Sequence, residues 1–280
     1  MFRSAALNRI GVLCLGLALL VPALGCDLPL FTASETLSEV FETDAAPKIV
    51  VETFSGSIDI SNGEDDEVVV EVTRRASGFD QELADKNLEH VEVTMHQDGN
   101  TIYVAAKKSS ISVIGNCGAS IVIAAPKQAR IELKASSGYI VAEGMQGDID
   151  AQTSNGKIAV FEGHGTIEAN TSNGAIEIEA TDAVVNARTS NGRVRFAGSL
   201  AAKNNRIRTS NGKIDILLPP DSQFRFAAAT SNGRIDCEFP YDHEGSKSRR
   251  KKSGTVGDDP KCSLSLTTSN GAIDIRKHDK

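Results

Sequence analysis

The tetrapeptide Thr-Ser-Asn-Gly occurs six times in this chain, with copies beginning at Thr153, Thr171, Thr189, Thr209, Thr230 and Thr268. Successive copies start 18, 18, 20, 21 and 38 residues apart. Ala135-Ser136-Ser137-Gly138 is a degenerate copy 18 residues before the first, and Thr53-Phe54-Ser55-Gly56 is a more distant relative. Self-similarity at a short fixed period means stacked supersecondary units that bury their apolar faces only against one another.

Each copy alternates with period two on both sides of its glycine. Apolar residues fall two and four places after it, as in Ile158 and Val160, Ile176 and Ile178, Val194 and Phe196, Ile214 and Ile216, and Ile273 and Ile275. They also fall seven and five places before it, as in Ile149 and Ala151, Ile167 and Ala169, Val185 and Ala187, Phe226 and Ala228, and Leu264 and Leu266. This predicts two short strands per repeat, each with one buried face. The fold class expected is all-β, a parallel β-solenoid (β-helix-like) of roughly 18-residue T-S-N-G coils. Asn-Gly supplies the left-handed backbone of a sharp bend. Equivalent residues of stacked coils then lie ~4.8 Å apart. Asn155, Asn173, Asn191, Asn211, Asn232 and Asn270 form one expected column and the six threonines another, a structural ladder of polar groups satisfying one another. Six equivalent serines do not make a nucleophile, which needs one hydroxyl activated by a base.

The expected organisation is a leader at 1–25, a lipid-attachment cysteine and tether at 26–46, an irregular β-rich part at 47–130 and regular repeats at 131–280. Strands are predicted at Lys48–Thr53, Ser57–Ser61, Glu67–Arg74, Val91–His96, Thr101–Ala106 and Ser120–Ala125, with one helix at Phe79–Glu89. The 38-residue interval holds about 20 residues more than one 18-residue coil. These residues, 238–261, carry Gly, Pro, Ser and charge without alternation, and read as an excursion loop. Cys237 and Cys262 share inward parity at its neck and are a candidate disulfide; Cys117 is left without an assigned role.

Arg3 and Arg9 precede an apolar run, Ile10–Leu24, too short to cross a bilayer as a mature helix. It ends in Ala23-Leu24-Gly25-Cys26, which resembles a lipobox, with Cys26 as the lipidated residue. Loss of the two leader arginines takes the formal charge from −7 to about −9. A chain this acidic is not a general nucleic-acid binder. The expected location is the bacterial cell envelope, as a membrane-anchored lipoprotein.

The repeat units, Phe54-Ser55-Gly56-Ser57-Ile58-Asp59-Ile60, the acidic turn before Val68-Val69-Val70-Glu71-Val72, the helix-like Glu82–Glu89 and Pro126 ahead of the repeats together resemble the bacterial β-strand-repeat envelope proteins known as putative adhesins, a domain of unknown function. The resemblance covers nearly all of the chain beyond the leader. It implies a parallel β-solenoid and an envelope location, and it carries no active site to transfer.

The five histidines, His90, His96, His164, His243 and His278, lack metal-ligand spacing, and no Cys-x-x-Cys is present. No catalytic residue, metal or cofactor is therefore assigned. Glu64-Asp65-Asp66-Glu67 reads as a solvated turn. Lys157, Arg193, Lys213 and Arg234 follow their glycines in one outward column, and Glu177, Asp215, Asp236 and Asp274 occupy the column two places on. Arg188 and Arg208 share outward parity on the preceding strand. Charge pairing between neighbouring coils accounts for these columns; contact with an anionic polymer is the sharper alternative. The run from Lys247 through Arg249, Arg250, Lys251 and Lys252 reads as a solvated loop or as a contact for an anionic polymer or lipid headgroup. The function expected is a non-enzymatic envelope lipoprotein presenting an adhesion, interaction or structural surface. A polysaccharide-active lyase or hydrolase on the same scaffold, and a self-assembling envelope scaffold, stay open. Expected partners are a membrane through the lipid and an anionic glycan or another envelope protein.

Overall fold

A computed structural model of the chain describes residues 31–44, 46–109, 115–245 and 248–278; the leader, Cys26 and Lys247 lie outside them. The N-terminal part contains β1 (Phe31–Glu42), β2 (Lys48–Thr53), β3 (Ile58–Asn62), β4 (Glu67–Gly78), α1 (Gln81–Glu89), β5 (Val91–Asp98), β6 (Thr101–Lys108) and β7 (Cys117–Ala125). The repeats supply β8 (Arg130–Ser137), β9 (Ile140–Glu143), β10 (Ile149–Asn155), β11 (Ile158–Asn173), β12 (Ile176–Asn191), β13 (Val194–Leu200), β14 (Asn204–Asn211) and β15 (Ile214–Leu218). Then come β16 (Phe224–Asn232), β17 (Ile235–Cys237), β18 (Asp242–His243), β19 (Lys251–Val256), β20 (Cys262–Asn270) and β21 (Ile273–Lys277).

The period-two pattern is realised directly. In β10, Ile149, Ala151 and Thr153 are buried while Asp150, Gln152 and Ser154 face outward. Strands of successive repeats pair in parallel, with Ile149 opposite Ile167 and Ile158 opposite Ile176. The result is an all-β fold with a long, mostly parallel sheet. Strands preceding the glycines run in the order β5–β6–β2–β8–β10–β11–β12–β14–β20–β16–β19–β18. Strands following them run β1–β4–β7–β3–β9–β11–β12–β13–β15–β21–β17. β11 and β12 serve both rows because each turns a corner without a break, through Glu162 and Asp182 at positive φ. Inward Ile, Val, Leu and Ala residues make one continuous core from Phe41 to Ile275, the form expected when no repeat has a core of its own.

Spatial order departs from chain order at both ends. The last repeat, β20–β21, lies between β14–β15 and β16–β17. At the other end β2–β3 lies between β6–β7 and β8–β9. Segment 238–261 is accordingly more than an excursion loop: β19 pairs antiparallel with β16, covering the edge that β16 turns away from β20. The tether expected over 26–46 likewise contains the 12-residue β1, antiparallel to β4 from Phe31–Gly78 to Glu42–Glu67. Buried Ala33 and Phe41 and an Arg74–Glu35 ion pair hold it there. The expected helix begins at Gln81 because the Asp80 carboxylate caps it, accepting from Leu83 N at 2.7 Å.

Candidate functional site

The repeated spacing of Thr and Gly within each copy has a single structural cause. A Cβ on Gly174 would sit 1.8 Å from Gly156 O, and one on Gly192 1.9 Å from Gly174 O. Neighbouring backbones approach that closely along the whole row of repeat glycines. The glycine carbonyl then accepts from the buried threonine of the next repeat: Thr153 Oγ1 to Gly138 O at 3.1 Å, Thr171 to Gly156 at 3.1 Å, Thr189 to Gly174 at 2.9 Å and Thr209 to Gly192 at 3.0 Å. This corrects two expectations. The glycines of the six full copies are not among the positive-φ glycines, so close approach and not left-handed backbone requires them. The threonines bond to glycine carbonyls and not to one another.

The asparagine column does form a ladder, because each side-chain amide both donates and accepts. Asn173 Nδ2 donates to Asn155 Oδ1 at 3.0 Å, Asn191 to Asn173 at 2.8 Å and Asn211 to Asn191 at 2.8 Å. Its order then follows the swapped strands, Asn270 donating to Asn211 at 2.7 Å and Asn232 to Asn270 at 2.8 Å.

On the face that follows the glycines, most charge is matched. Lys157 Nζ lies 2.6 Å from Glu177, and Arg195 bridges Glu177 and Glu179 at 3.2 and 2.9 Å. The hydrogen bond from Lys157 is the main reason that the Glu177 carboxyl is held below the usual glutamate range, against a smaller opposing effect of burial. Lys213 lies 2.7 Å from Asp274 and 3.5 Å from Asp215, Arg276 also pairs with Asp215, and Arg234 pairs with Asp236 at 3.0 Å. Of the expected cationic column, Arg193 alone makes no ion pair among the described residues. Sequence reasoning overlooked Arg195, which stands in the otherwise acidic column and whose outward parity would have revealed it.

The face that precedes the glycines is different. An open groove of about 530 Å³ crosses β2, β8, β10, β11 and β12, lined by Lys134, Gln152, Asn170 and Arg188 beside Ser154 and Ser172. Beyond it lie Arg206, Arg208 and Arg225, all exposed and, like Arg188, without an ion pair among the described residues. A second open depression of about 570 Å³ adjoins them, between Lys203, Arg225 and Lys261.

The candidate disulfide is not formed. Cys237 and Cys262 are free thiols, since β17 carries Cys237 opposite Ile275 while β20 carries Cys262 opposite Phe224. Their sulfurs contact different carbonyls, Phe239 O at 3.8 Å and Gln223 O at 3.6 Å, and burial pushes both thiols above the usual range. Cys117 is also free. Within the expected basic run, Lys251 and Lys252 belong to β19, while Arg249 and Arg250 occupy the exposed turn before it. His96 stacks on Tyr103 with centroids 4.9 Å apart, and His243 lies 5.4 Å from Tyr241. Among the described residues no group of three or more His, Cys, Asp or Glu side chains converges to hold a metal.

Comparison with known proteins places these features in context. The family described as Toastrack DUF4097 matches residues 129–276. A structure of a putative cell adhesion protein from Clostridium sporogenes is 13% identical, with 87% of this chain and 100% of that chain covered and a TM-score of 0.37. A putative adhesin from Bacteroides fragilis is 12% identical over 87% of this chain and 97% of that chain, with a TM-score of 0.36. A putative lipid binding protein from Parabacteroides distasonis is 13% identical over 86% and 96%, with a TM-score of 0.32. No curated protein matches the chain.

Proposed function

Because the chain belongs to the Toastrack DUF4097 family, we propose that it is a non-enzymatic cell-envelope lipoprotein, anchored through Cys26, that presents a β-solenoid of roughly 18-residue coils as an interaction surface. The observation that carries this reading is the ordering of outward side chains into rows along the stack, fixed by the Thr–Gly contacts and the Asn ladder. Rigid rows suit recognition of an extended partner, since little side-chain and backbone freedom remains to be lost on binding. Lyase or hydrolase chemistry is the weaker reading. The outward carboxylates Glu177, Asp215 and Asp274 are each engaged by a cation, and Asp150 accepts from Gln152 at 3.0 Å. Self-assembly through the ends is weaker again, because the pre-glycine row ends in antiparallel strands, β5 and β18–β19, and not in the parallel strands that continue a stack of repeats.

Two measurements test the proposal. Cys26→Ala should leave the membrane fraction of the producing cells, and wild type should take up a labelled fatty acid that the variant does not. Purified protein incubated with anionic polysaccharides should generate neither reducing nor unsaturated ends. Equal membrane retention of the variant after a salt wash would overturn the anchor, and steady product formation would overturn the non-enzymatic reading.

A further inference from the structure

The charge on the face that precedes the glycines is segregated. The outward positions of the second half of β12 are Val184, Asn186, Arg188 and Ser190. In β14 they are Asn204, Arg206, Arg208 and Ser210. β20 offers Ser263, Ser265, Thr267 and Ser269, while β16 offers Arg225, Ala227, Ala229 and Ser231. Four adjacent strands thus present four arginines and no carboxylate, on a chain whose formal charge is −7. Acids return on the strands to either side, with Glu168, Asp150, Glu132 and Glu52 outward on β11, β10, β8 and β2, and Glu244 beside Thr255 at the far edge.

Arg188 and Arg208 are register partners on neighbouring parallel strands. Their Cα atoms are about 4.8 Å apart, and like charges directly opposite one another destabilise a sheet. On the other face, Arg193 apart, the chain answers such crowding with its own acids, as where Glu177 sits between Lys157 and Arg195. Here it supplies none. The counter-charge has to come from outside.

We propose that this face binds an anionic glycan, with Arg188, Arg206 and Arg208 as its recognition residues; the inference rests on the interaction-surface reading above and names its partner. The guanidinium fork matches carboxylate, sulfate and phosphate groups in two-bond geometry. The surface is flat and open, which suits an extended polymer more than a small anion enclosed on all sides. From Arg188 the open groove continues past Asn170 and Gln152 to Lys134 and ends at Glu52, giving amide, ammonium and carboxylate partners for the hydroxyls of a neutral stretch of the same chain. Single-stranded nucleic acid is disfavoured because no outward position of the four strands is aromatic, Phe224 and Phe226 of β16 being buried, so bases have nothing to stack on. A lipid surface is disfavoured because the apolar outward residues are only Val184, Ala227 and Ala229, too little to insert.

The test uses the full chain and labelled polygalacturonate and dextran sulfate as probes. Neutral dextran, a single-stranded DNA oligomer and phosphatidylserine vesicles are the comparison arms. Wild type should bind both anionic glycans with an affinity that falls steadily with added salt. The Arg188→Gln, Arg206→Gln, Arg208→Gln triple variant should bind at least about tenfold more weakly, and should be no less stable than wild type because it loses a like-charge contact. A Lys157→Gln, Lys213→Gln, Arg234→Gln variant, which alters the paired face, should bind within about twofold of wild type. Equal binding by wild type and the arginine variant would overturn the proposal. So would absence of binding to either glycan, or tighter binding to DNA or vesicles. None of these results touches membrane anchoring or lack of turnover, so the broader reading fails or survives separately.

Discussion

Replacing Gly174 by Ala tests the claim that the repeat glycines are required by contact. The new Cβ would lie 1.8 Å from Gly156 O, where real Cβ contacts stay beyond 3.0 Å, so the two repeats must part by more than about 1 Å. Four hydrogen bonds span that junction: Gly156 N to Asn173 O at 3.1 Å, Ile158 N to Ala175 O at 3.0 Å, Thr171 Oγ1 to Gly156 O at 3.1 Å and Asn173 Nδ2 to Asn155 Oδ1 at 3.0 Å. At roughly 0.5–1.5 kcal/mol each, their loss costs about 2–6 kcal/mol, a large share of the stability of an ordinary domain. Gly99 provides the contrast, with φ +58° and open space around its Cβ position. Gly99→Ala should cost only the left-handed backbone penalty, about 1–2 kcal/mol. Gly174→Asn separates the two causes, since asparagine tolerates left-handed backbone but brings the same Cβ. Urea unfolding followed by circular dichroism measures all three. The reasoning is wrong if Gly174→Ala costs less than Gly99→Ala, or if Asn at position 174 restores wild-type stability.

Three further outcomes follow from the same geometry. Thr189→Val keeps the shape but removes the donor to the part-buried Gly174 O, and should cost about 0.5–1.5 kcal/mol in the same unfolding assay. Because the Glu177 carboxyl is depressed in the folded state, chiefly by its hydrogen bond from Lys157, its contribution is present above the unfolded carboxylate range and fades as pH falls through the folded value. Its exposure limits this to under about 1 kcal/mol, seen as a shallower acid dependence of unfolding in Glu177→Gln. Cys237 and Cys262, with thiols raised by burial, should alkylate slowly in native protein and rapidly in urea; a linked peptide in a non-reduced digest would show the bridge that the structure lacks.

Inward and outward parity was legible from the repeat, because alternation around Gly156, Gly174 and Gly192 leaves each residue one side to face. That parity placed Ile158, Ile176 and Val194 in the core and the asparagines in their ladder. It also read the Lys157 column as internally paired, which holds for Lys157, Lys213 and Arg234. Strand neighbours were less legible. Whether β20 pairs with β14 or lies beyond β16 depends on how far residues 238–261 reach, and no local pattern encodes that distance. β1 was legible only as one short strand within a tether, for a similar reason: Thr, Ser and Glu dilute its alternation, and the β4 edge is what extends it to 12 residues. The arginine face was half visible. Arg188 and Arg208 were placed outward, but their lack of partners became apparent only with register, which sets Arg188 against Arg208, and Arg206 against Asn186 and Ser265.

The swaps at the two ends decide which strands of this molecule stand outermost. A stack of parallel strands leaves a bare edge wherever it stops, and a short connection can supply only an antiparallel strand to cover it. At the N-terminal end a tight turn at Gly99 returns the chain from β5 to β6, so β5 is antiparallel to β6 and replaces a parallel strand as the outermost one. At the C-terminal end the chain lays down β16–β17 as the outermost repeat, turns back as β19 along the open side of β16, and only then passes inward to place β20–β21 between finished neighbours. Phe239 and Tyr241, contributed by the same segment, pack edge-on against Phe224 and Phe226 and shield the end of the core. The long interval in the repeat is therefore the device that lets the last repeat go in second to last, and it spends its extra residues on a cap. With the ends of the pre-glycine row formed by antiparallel strands and the post-glycine face largely neutralised by its own ion pairs, the unanswered charge on β12, β14, β20 and β16 is where an external polyanion gains most.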